Sequence, residues 1–389
     1  MNKNLDMRVN VLPALTYNFL HVNDSKIKED GIGIELLNTP DAENVPDGVT
    51  VTRRVSYKEA GKLFEDNKKR ILVDAGVPGV PNGDTSRRDD AQAVRTGMGI
   101  DIENLMLENG ITTDVFTAEE GVKTKEPIII RYNLNDGEGS LTSQVIHAKK
   151  DSEITIIMDY TSERNASGFH GISTRLLAEE GAKINLIKTQ TLGDGFIHFD
   201  DIGGACFKKG AINVVSLELG AKKSWTGCYI NLCEDETEFI SNQGYLVKDT
   251  HSLDINYVAD QRGKKTNVLM NVKGVLMDKA QKTYRGTLDF KSGSSASVGD
   301  EQEDTLLLSP DVINRSMPVI LCQEEDVEGR HGATIGQLGE DLLFYINSRG
   351  IDEQEAKRLM VRAKLDSVAR LIPDPEIAEK VQYYISTIV

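Results

Sequence analysis

The chain has 389 residues and a formal charge of −16, from 45 Lys+Arg against 61 Asp+Glu, with four Cys, six His and one Trp. That charge argues against a general nucleic-acid binder, which needs a basic face, and no apolar run approaches the roughly 18–20 residues of a membrane helix. The start, Met1 to Asp6, lacks the apolar core of a secretory signal. The chain is therefore expected to be cytoplasmic, with its Cys reduced and too few for a disulfide scaffold.

Residues 1–122 read as a mixed α/β region rich in turns. Tyr57 to Asn67 has the spacing of a short amphipathic helix. Residues 73–83, punctuated by Gly and Pro, read as a loop, and Arg87-Arg88-Asp89-Asp90 as a helix-permissive segment. Gly31-Ile32-Gly33 and Gly97-Met98-Gly99 do not continue into a dinucleotide fingerprint and read as turns.

Over residues 123–335 the texture is strand-like. Ile- and Val-rich stretches recur at Ile128–Ile130, Ile154–Met158, Ile184–Ile187, Ile212–Val215 and Val268–Val272, separated by Gly- and Asn-containing turns. Sandwich, barrel and β-helix all fit that texture. The recurring units Glu180-Gly181-Ala182-Lys183-Ile184 and Lys209-Gly210-Ala211-Ile212 favour a stacked β-helix.

Residues 336–389 read as helical. A short helix carries Leu342, Leu343, Tyr345 and Ile346 and can stop at Gly350. Asp352 with Glu355 forms a capping box for a second, with Ala356, Leu359, Met360, Ala363 and Val368 at helical spacing. Asp374-Pro375 opens a third, whose stripe is Ile377, Val381 and Ile385.

Candidate chemistry centres on Cys and His. Cys228 and Cys233 lack Cys-x-x-Cys spacing and a second pair, which argues against structural zinc. Iron–sulfur chemistry prefers thiolates, and two chains sharing a site need only one or two each. A free Cys is otherwise a small buried apolar residue, the reading favoured for Cys206. Cys322 ends an apolar strand, and His331 follows an acidic turn, Glu324-Glu325-Asp326. A strand–turn–strand return could bring the two together. Thiolate plus imidazole suits iron or zinc, and the same pair suits a Cys–His nucleophile. His331 reads equally as a hydrogen-bonded core residue. His170, His198 and His251 have ordinary strand or turn explanations. The carboxylate run Asp300 to Asp304 lacks EF-hand spacing and reads as a solvated turn. There is no P-loop, Gly-x-Ser-x-Gly or His-Glu-x-x-His, so nothing in the sequence suits the chain to hydrolyse ATP itself.

Several segments carry a family resemblance. Glu325 to Leu338, with Arg330-His331-Gly332-Ala333-Thr334 at its centre, and Leu343 to Ile351, with Ser348-Arg349-Gly350, resemble the signature of the SufB/SufD scaffold proteins of the SUF iron–sulfur cluster assembly machinery. Lys273 to Asp278 with Tyr284-Arg285-Gly286, Leu306-Leu307-Leu308-Ser309, and Arg8 to Asn23 resemble further family segments.

The resemblance implies a mainly β protein: a right-handed parallel β-helix core, a mixed N-terminal region and a C-terminal helical domain. It implies a SufC-like ABC-type ATPase on the C-terminal helices, a partner scaffold chain and a sulfur donor protein, with no nucleic acid or membrane. The nascent, transient iron–sulfur cluster forms at or near the interface between β-helices. The functional His of SufD-type chains maps onto His331, and Cys322 falls on a position that is Cys in SufB-type chains. Two other SufB-type Cys have no counterpart, at Gln302-Glu303-Asp304 and near Asp159-Tyr160. The chain is thus expected to be a compact, SufD-leaning scaffold without enzymatic activity. As a homodimer it would ligate the cluster through Cys322 and His331, with Cys228 or Cys233 from either chain. Alternatively it is a structural subunit that needs a separate SufB-type chain to hold the cluster. A β-helix carbohydrate enzyme expects an aromatic groove, and the lone Trp225 argues against one.

Overall fold

The computed structural model describes residues 2–14, 17, 20–35, 37–71, 94–337 and 340–388. The sequence segments 73–83 and Arg87 to Asp90 lie outside the described residues. The elements in chain order begin with β1 (Asn2–Val9), β2 (Ser25–Gly33), β3 (Ala42–Glu43), β4 (Val49–Ser56), α1 (Tyr57–Asp66), α2 (Lys68–Ile71) and α3 (Ile100–Glu108). Then come β5 (Thr112–Ala118), β6 (Ile128–Leu134), β7 (Gly139–Ala148), β8 (Glu153–Ser162), β9 (Ser167–Ala178), β10 (Lys183–Thr191), β11 (Gly195–Cys206) and β12 (Ala211–Glu218). They continue with β13 (Lys223–Leu232), β14 (Glu238–Val247), β15 (Ser252–Gln261), β16 (Asn267–Leu276), β17 (Gln281–Phe290), β18 (Ser297–Leu307), β19 (Ile313–Cys322) and β20 (Val327–Gln337). The chain ends with α4 (Glu340–Ser348), α5 (Glu353–Ala369) and α6 (Pro375–Thr387).

β1 pairs with β2 and β4 with β5, both antiparallel, but from β5 onward strands consecutive in the chain do not pair. Even strands from β6 to β20 form one parallel sheet and odd strands from β5 to β19 the other, which makes a parallel β-solenoid of about eight turns. The corner before each even strand from β8 to β18 places one residue at positive φ: Asp151, Gly181, Lys209, Glu236, Lys265 and Ala296. These recur about every 30 residues, the repeat of a solenoid winding. Only a backbone conformation repeats, so different residue types fill the corner, and the sequence shows no strict repeat.

Side chains alternate between the interior and the outer face. The interior holds one apolar cluster from Phe116 to Phe290. Each outer face is covered by a different part of the chain. On the even sheet, Val361, Leu365 and Val368 of α5 and Ile377, Val381 and Ile385 of α6 pack on Ile157, Ile187, Val215, Leu246 and Val275. Burial of each such side chain contributes about 1.5–3 kcal/mol. The helix caps are those read from the sequence: Asp352 accepts from Glu355 N at 2.8 Å, and Asp374 accepts from Ile377 N at 2.9 Å, with Pro375 behind it. Leu359 and Ala363 depart from the expected stripe and are exposed.

On the odd sheet, the β1–β2 pair and α3 cover Leu141, Phe169, Phe199 and Trp225, while α1 covers Val145, Leu177 and Ala205. Gly31-Ile32-Gly33, expected as a turn, lies in β2. Gly97-Met98-Gly99 does end in a turn: Gly99, at φ +94, leads directly into α3. Gly97 itself lies flat on the sheet. Its N–H donates to Ile202 O at 3.0 Å, and an added Cβ would sit 1.9 Å from Cys228 N. Gly97→Ala is expected to lift this segment and lower stability by about 1–3 kcal/mol, seen as a lower urea midpoint.

Candidate functional site

The solenoid ends openly at β19 and β20, the last strands of the two sheets. Two interior rows run the length of the core to this end. One passes through Ile128, Ile156, Leu186, Val214, Ser241, Met270 and Glu301 to His331. The other passes through Ala118, Ala148, Ala178, Cys206, Leu232, Gln261 and Phe290 to Cys322. In the interior these rows are buried. In the final winding no further strand among the described residues covers them, and both His331 and Cys322 are exposed.

The expected hairpin return does not form. The turn after Cys322 carries the chain across to the opposite sheet, so Cys322 and His331 sit on facing sheets at the same open end. The Cys322 thiol donates to Glu324 O at 3.0 Å. The acidic turn is tied down: the Glu324 carboxylate accepts from Gly293 N at 2.8 Å and Asp326 from Ser295 Oγ at 2.7 Å.

The carboxylate run read as a solvated turn is instead strand β18. Alternation sends Glu301 and Glu303 inward, where they are 1% and 4% exposed. Glu303 is ion-paired with the buried Lys282, which also reaches Ser316 Oγ at 3.0 Å. Glu301 faces the Tyr284 hydroxyl, and burial pushes its carboxyl up to about 8. A protonated acid and a neutralised ion pair thus form the floor beneath His331.

Cys228 and Cys233 lie elsewhere. Cys228 faces the interior, its register running through Tyr257 and Gly286 to Pro318 on β19. Three strand spacings, about 14 Å, separate it from that edge. Cys233 points to the outer side, packed with Phe64 and Phe207. Burial raises both thiols, Cys233 to about 12. Neither is brought to Cys322 or His331 within one chain. Among the described residues no group of three or more His, Cys, Asp and Glu is arranged to hold a metal ion.

A second polar cluster, which residue-by-residue reading missed, lies deep in the interior. His170 and His198 stack with ring centroids 5.0 Å apart and Nδ1 atoms 3.0 Å apart. His198 Nδ1 also lies 3.2 Å from His170 O, which makes it the donor and His170 Nδ1 the acceptor. An accepting Nδ1 makes the His170 ring neutral, and burial lowers both rings, His198 to about 4. Beside them Lys188 donates to Asp200 at 2.5 Å and Thr174 at 2.9 Å. The available signal was the register: His170 and His198 are 28 residues apart, one winding of the solenoid.

The SUF-system iron–sulfur cluster assembly SufBD core domain matches residues 131–364, more than half of the chain. SufD of Bacillus subtilis is 23% identical over 65% of this chain and 59% of its own length. A SufBD-family protein of Synechocystis is 27% identical over 53% of this chain and 45% of its own. A chloroplastic SufBD-family protein of Arabidopsis thaliana is 25% identical over 65% and 47%. These matches span about half the length of the relatives. No helix among the described residues is long and apolar enough to cross a membrane. The matched core domain coincides with the solenoid and its first covering helix, and the chain belongs to the SufBD family of the SUF iron–sulfur cluster assembly system, on its SufD-like side.

Proposed function

We propose that the chain is a scaffold on which nascent iron–sulfur clusters are assembled, as one half of a pair of solenoids working with an ABC-type ATPase. The carrying observation is the open end: Cys322 and His331 stand exposed on interior rows of opposite sheets, at strands with a free edge. Unpaired edges are templates for another chain. A second scaffold docked there supplies the missing ligands, and thiolate with imidazole is a donor set for iron. Cys322 must lose the proton it now shares with Glu324 O, and bound iron favours that loss. Cys228 and Cys233 join the ligand set only if the windings above them open.

The C-terminal helices offer the second surface. Phe344, Tyr345 and Tyr383 are 77%, 56% and 72% exposed, an apolar presentation suited to the ATPase. Nucleotide-driven movement of that subunit would then act on the solenoid through α5 and α6. The sulfur donor would deliver to the open end, in the cytoplasm.

The ion pair of Lys282 with Glu303 favours the alternative of a SufD-like structural subunit. It occupies the stretch where SufB-type chains carry a cluster thiol. Anaerobic reconstitution with the ATPase alone, iron and sulfide separates the two. The scaffold reading expects a charge-transfer spectrum that Cys322→Ser with His331→Ala reduces at least about tenfold in bound iron. A full complement of cluster in that variant sinks the site assignment. A colourless wild-type complex, coloured only when a SufB-type chain is added, establishes the structural role.

A further inference from the structure

A cavity of about 770 Å³ opens on the outer face of β15, β17 and β19, beneath the segment leading into β2. In a chain of charge −16 its lining gathers Arg8, Lys26, Arg285 and Arg315 against only Asp24 and Asp254. Both carboxylates are already engaged. Arg8 bonds Asp24 at 2.6 Å, and Arg285 bonds Asp254 at 2.6 Å. Arg285 is 1% exposed and is fixed by the carbonyls of Val22 and Asp24 at 2.7 and 3.0 Å. Among the described residues the side chains of Lys26 and Arg315 make no hydrogen bond or ion pair. Two uncompensated cations, from β2 and β19, therefore border a cavity whose floor is a rigid guanidinium.

We infer that this cavity binds a small phosphate-bearing molecule. A phosphate group carries about −1.5 to −2 at neutral pH and three strong acceptor oxygens. That matches two free cations arriving from different elements, whereas one carboxylate balances one of them. The guanidinium fork of Arg315 suits such an oxyanion, and Thr283 beside it on β17 adds a hydroxyl. The volume lies in the range of small-ligand sites. Among the described residues no Phe, Tyr or Trp lines it, so the anionic group rather than ring stacking provides the hold. Arg315 alternates to the face of β19 opposite Cys322, so the inference stands apart from the cluster reading.

Calorimetric titration of the full chain with pyrophosphate, at low salt, tests it. Saturable binding is expected, weakened at least about tenfold by Arg315→Gln and by Lys26→Gln, and weakened by added salt. Both side chains are exposed, so the variants should keep the wild-type melting temperature without ligand. Pyrophosphate should then raise that temperature in the wild type and not in the double variant. Succinate should bind at least about tenfold more weakly than pyrophosphate. No saturable binding up to about 1 mM, equal binding by the double variant, or succinate binding as tightly as pyrophosphate would overturn the proposal.

Discussion

Replacing Lys188 with Met is expected to lower the unfolding free energy by about 3–5 kcal/mol, the usual cost of stripping one partner from a buried ion pair. Lys188 and Asp200 have side chains 1% and 2% exposed, inside the solenoid. Met keeps the length of the side chain and its packing. Asp200 then retains only the Tyr160 hydroxyl, at 3.3 Å. Its charge must be buried almost bare or neutralised by a proton. Lys188→Met with Asp200→Leu should recover most of the loss, because an apolar pair of similar volume often replaces a buried ion pair at little cost. Urea unfolding of the two single variants and the double variant measures the coupling. An additive double variant would mean that the pair does not hold the core together.

That interior explains what could and could not be read from the sequence. The Ile- and Val-rich stretches at β6, β8, β10, β12 and β16 stood out, and all belong to one sheet. The other sheet is as deeply buried, yet β7 reads Gly-Ser-Leu-Thr-Ser-Gln-Val-Ile-His-Ala. Its polar side chains find partners on other strands: Ser143 meets Thr113, one winding earlier, at 3.0 Å, and Gln144 Nε2 donates to Tyr132 on the facing sheet at 2.7 Å. Local hydropathy cannot see such partners. The same cause misled the reading of Asp300 to Asp304. Its inward Glu303 is neutralised by Lys282, 21 residues earlier on the facing sheet. The helix caps were legible because Asp352 and Asp374 bond within their own first turns. Cys322 and His331 were legible as residue types with a family pattern. Their placement on facing sheets was not, because it depends on each strand crossing over rather than returning.

Buried neutral acids and bases also give the core opposed responses to pH, and Glu218→Gln should expose one of them. Glu218 lies on the interior row of β12, accepts from Gln190 Nε2 at 3.2 Å and faces His198 Nε2 at 3.9 Å. Burial, helped by the charge of Asp200, pushes its carboxyl from 4.5 to about 8. The folded protein thus keeps a proton that the unfolded chain gives up above 4.5. The stability tied to that proton is intact below 4.5 and is lost as the pH rises towards about 8. Over that window the loss is on the order of 4 kcal/mol. Asp201, raised to about 7 by burial, acts in the same direction. His198 acts oppositely: its stabilising neutrality is complete above 6.5 and is lost as the pH falls to about 4. Between 6.5 and 8 the raised carboxyls of Glu218 and Asp201 should make wild-type stability fall with rising pH. Gln carries no proton to lose and keeps the shape. Glu218→Gln should match the wild type near pH 4.5 and exceed it by on the order of 4 kcal/mol near pH 9. Denaturant unfolding across this range decides the matter. Parallel wild-type and variant curves between pH 6.5 and 8 would show that Glu218 is already ionised in the folded core, with Lys188 shared between two carboxylates rather than committed to Asp200.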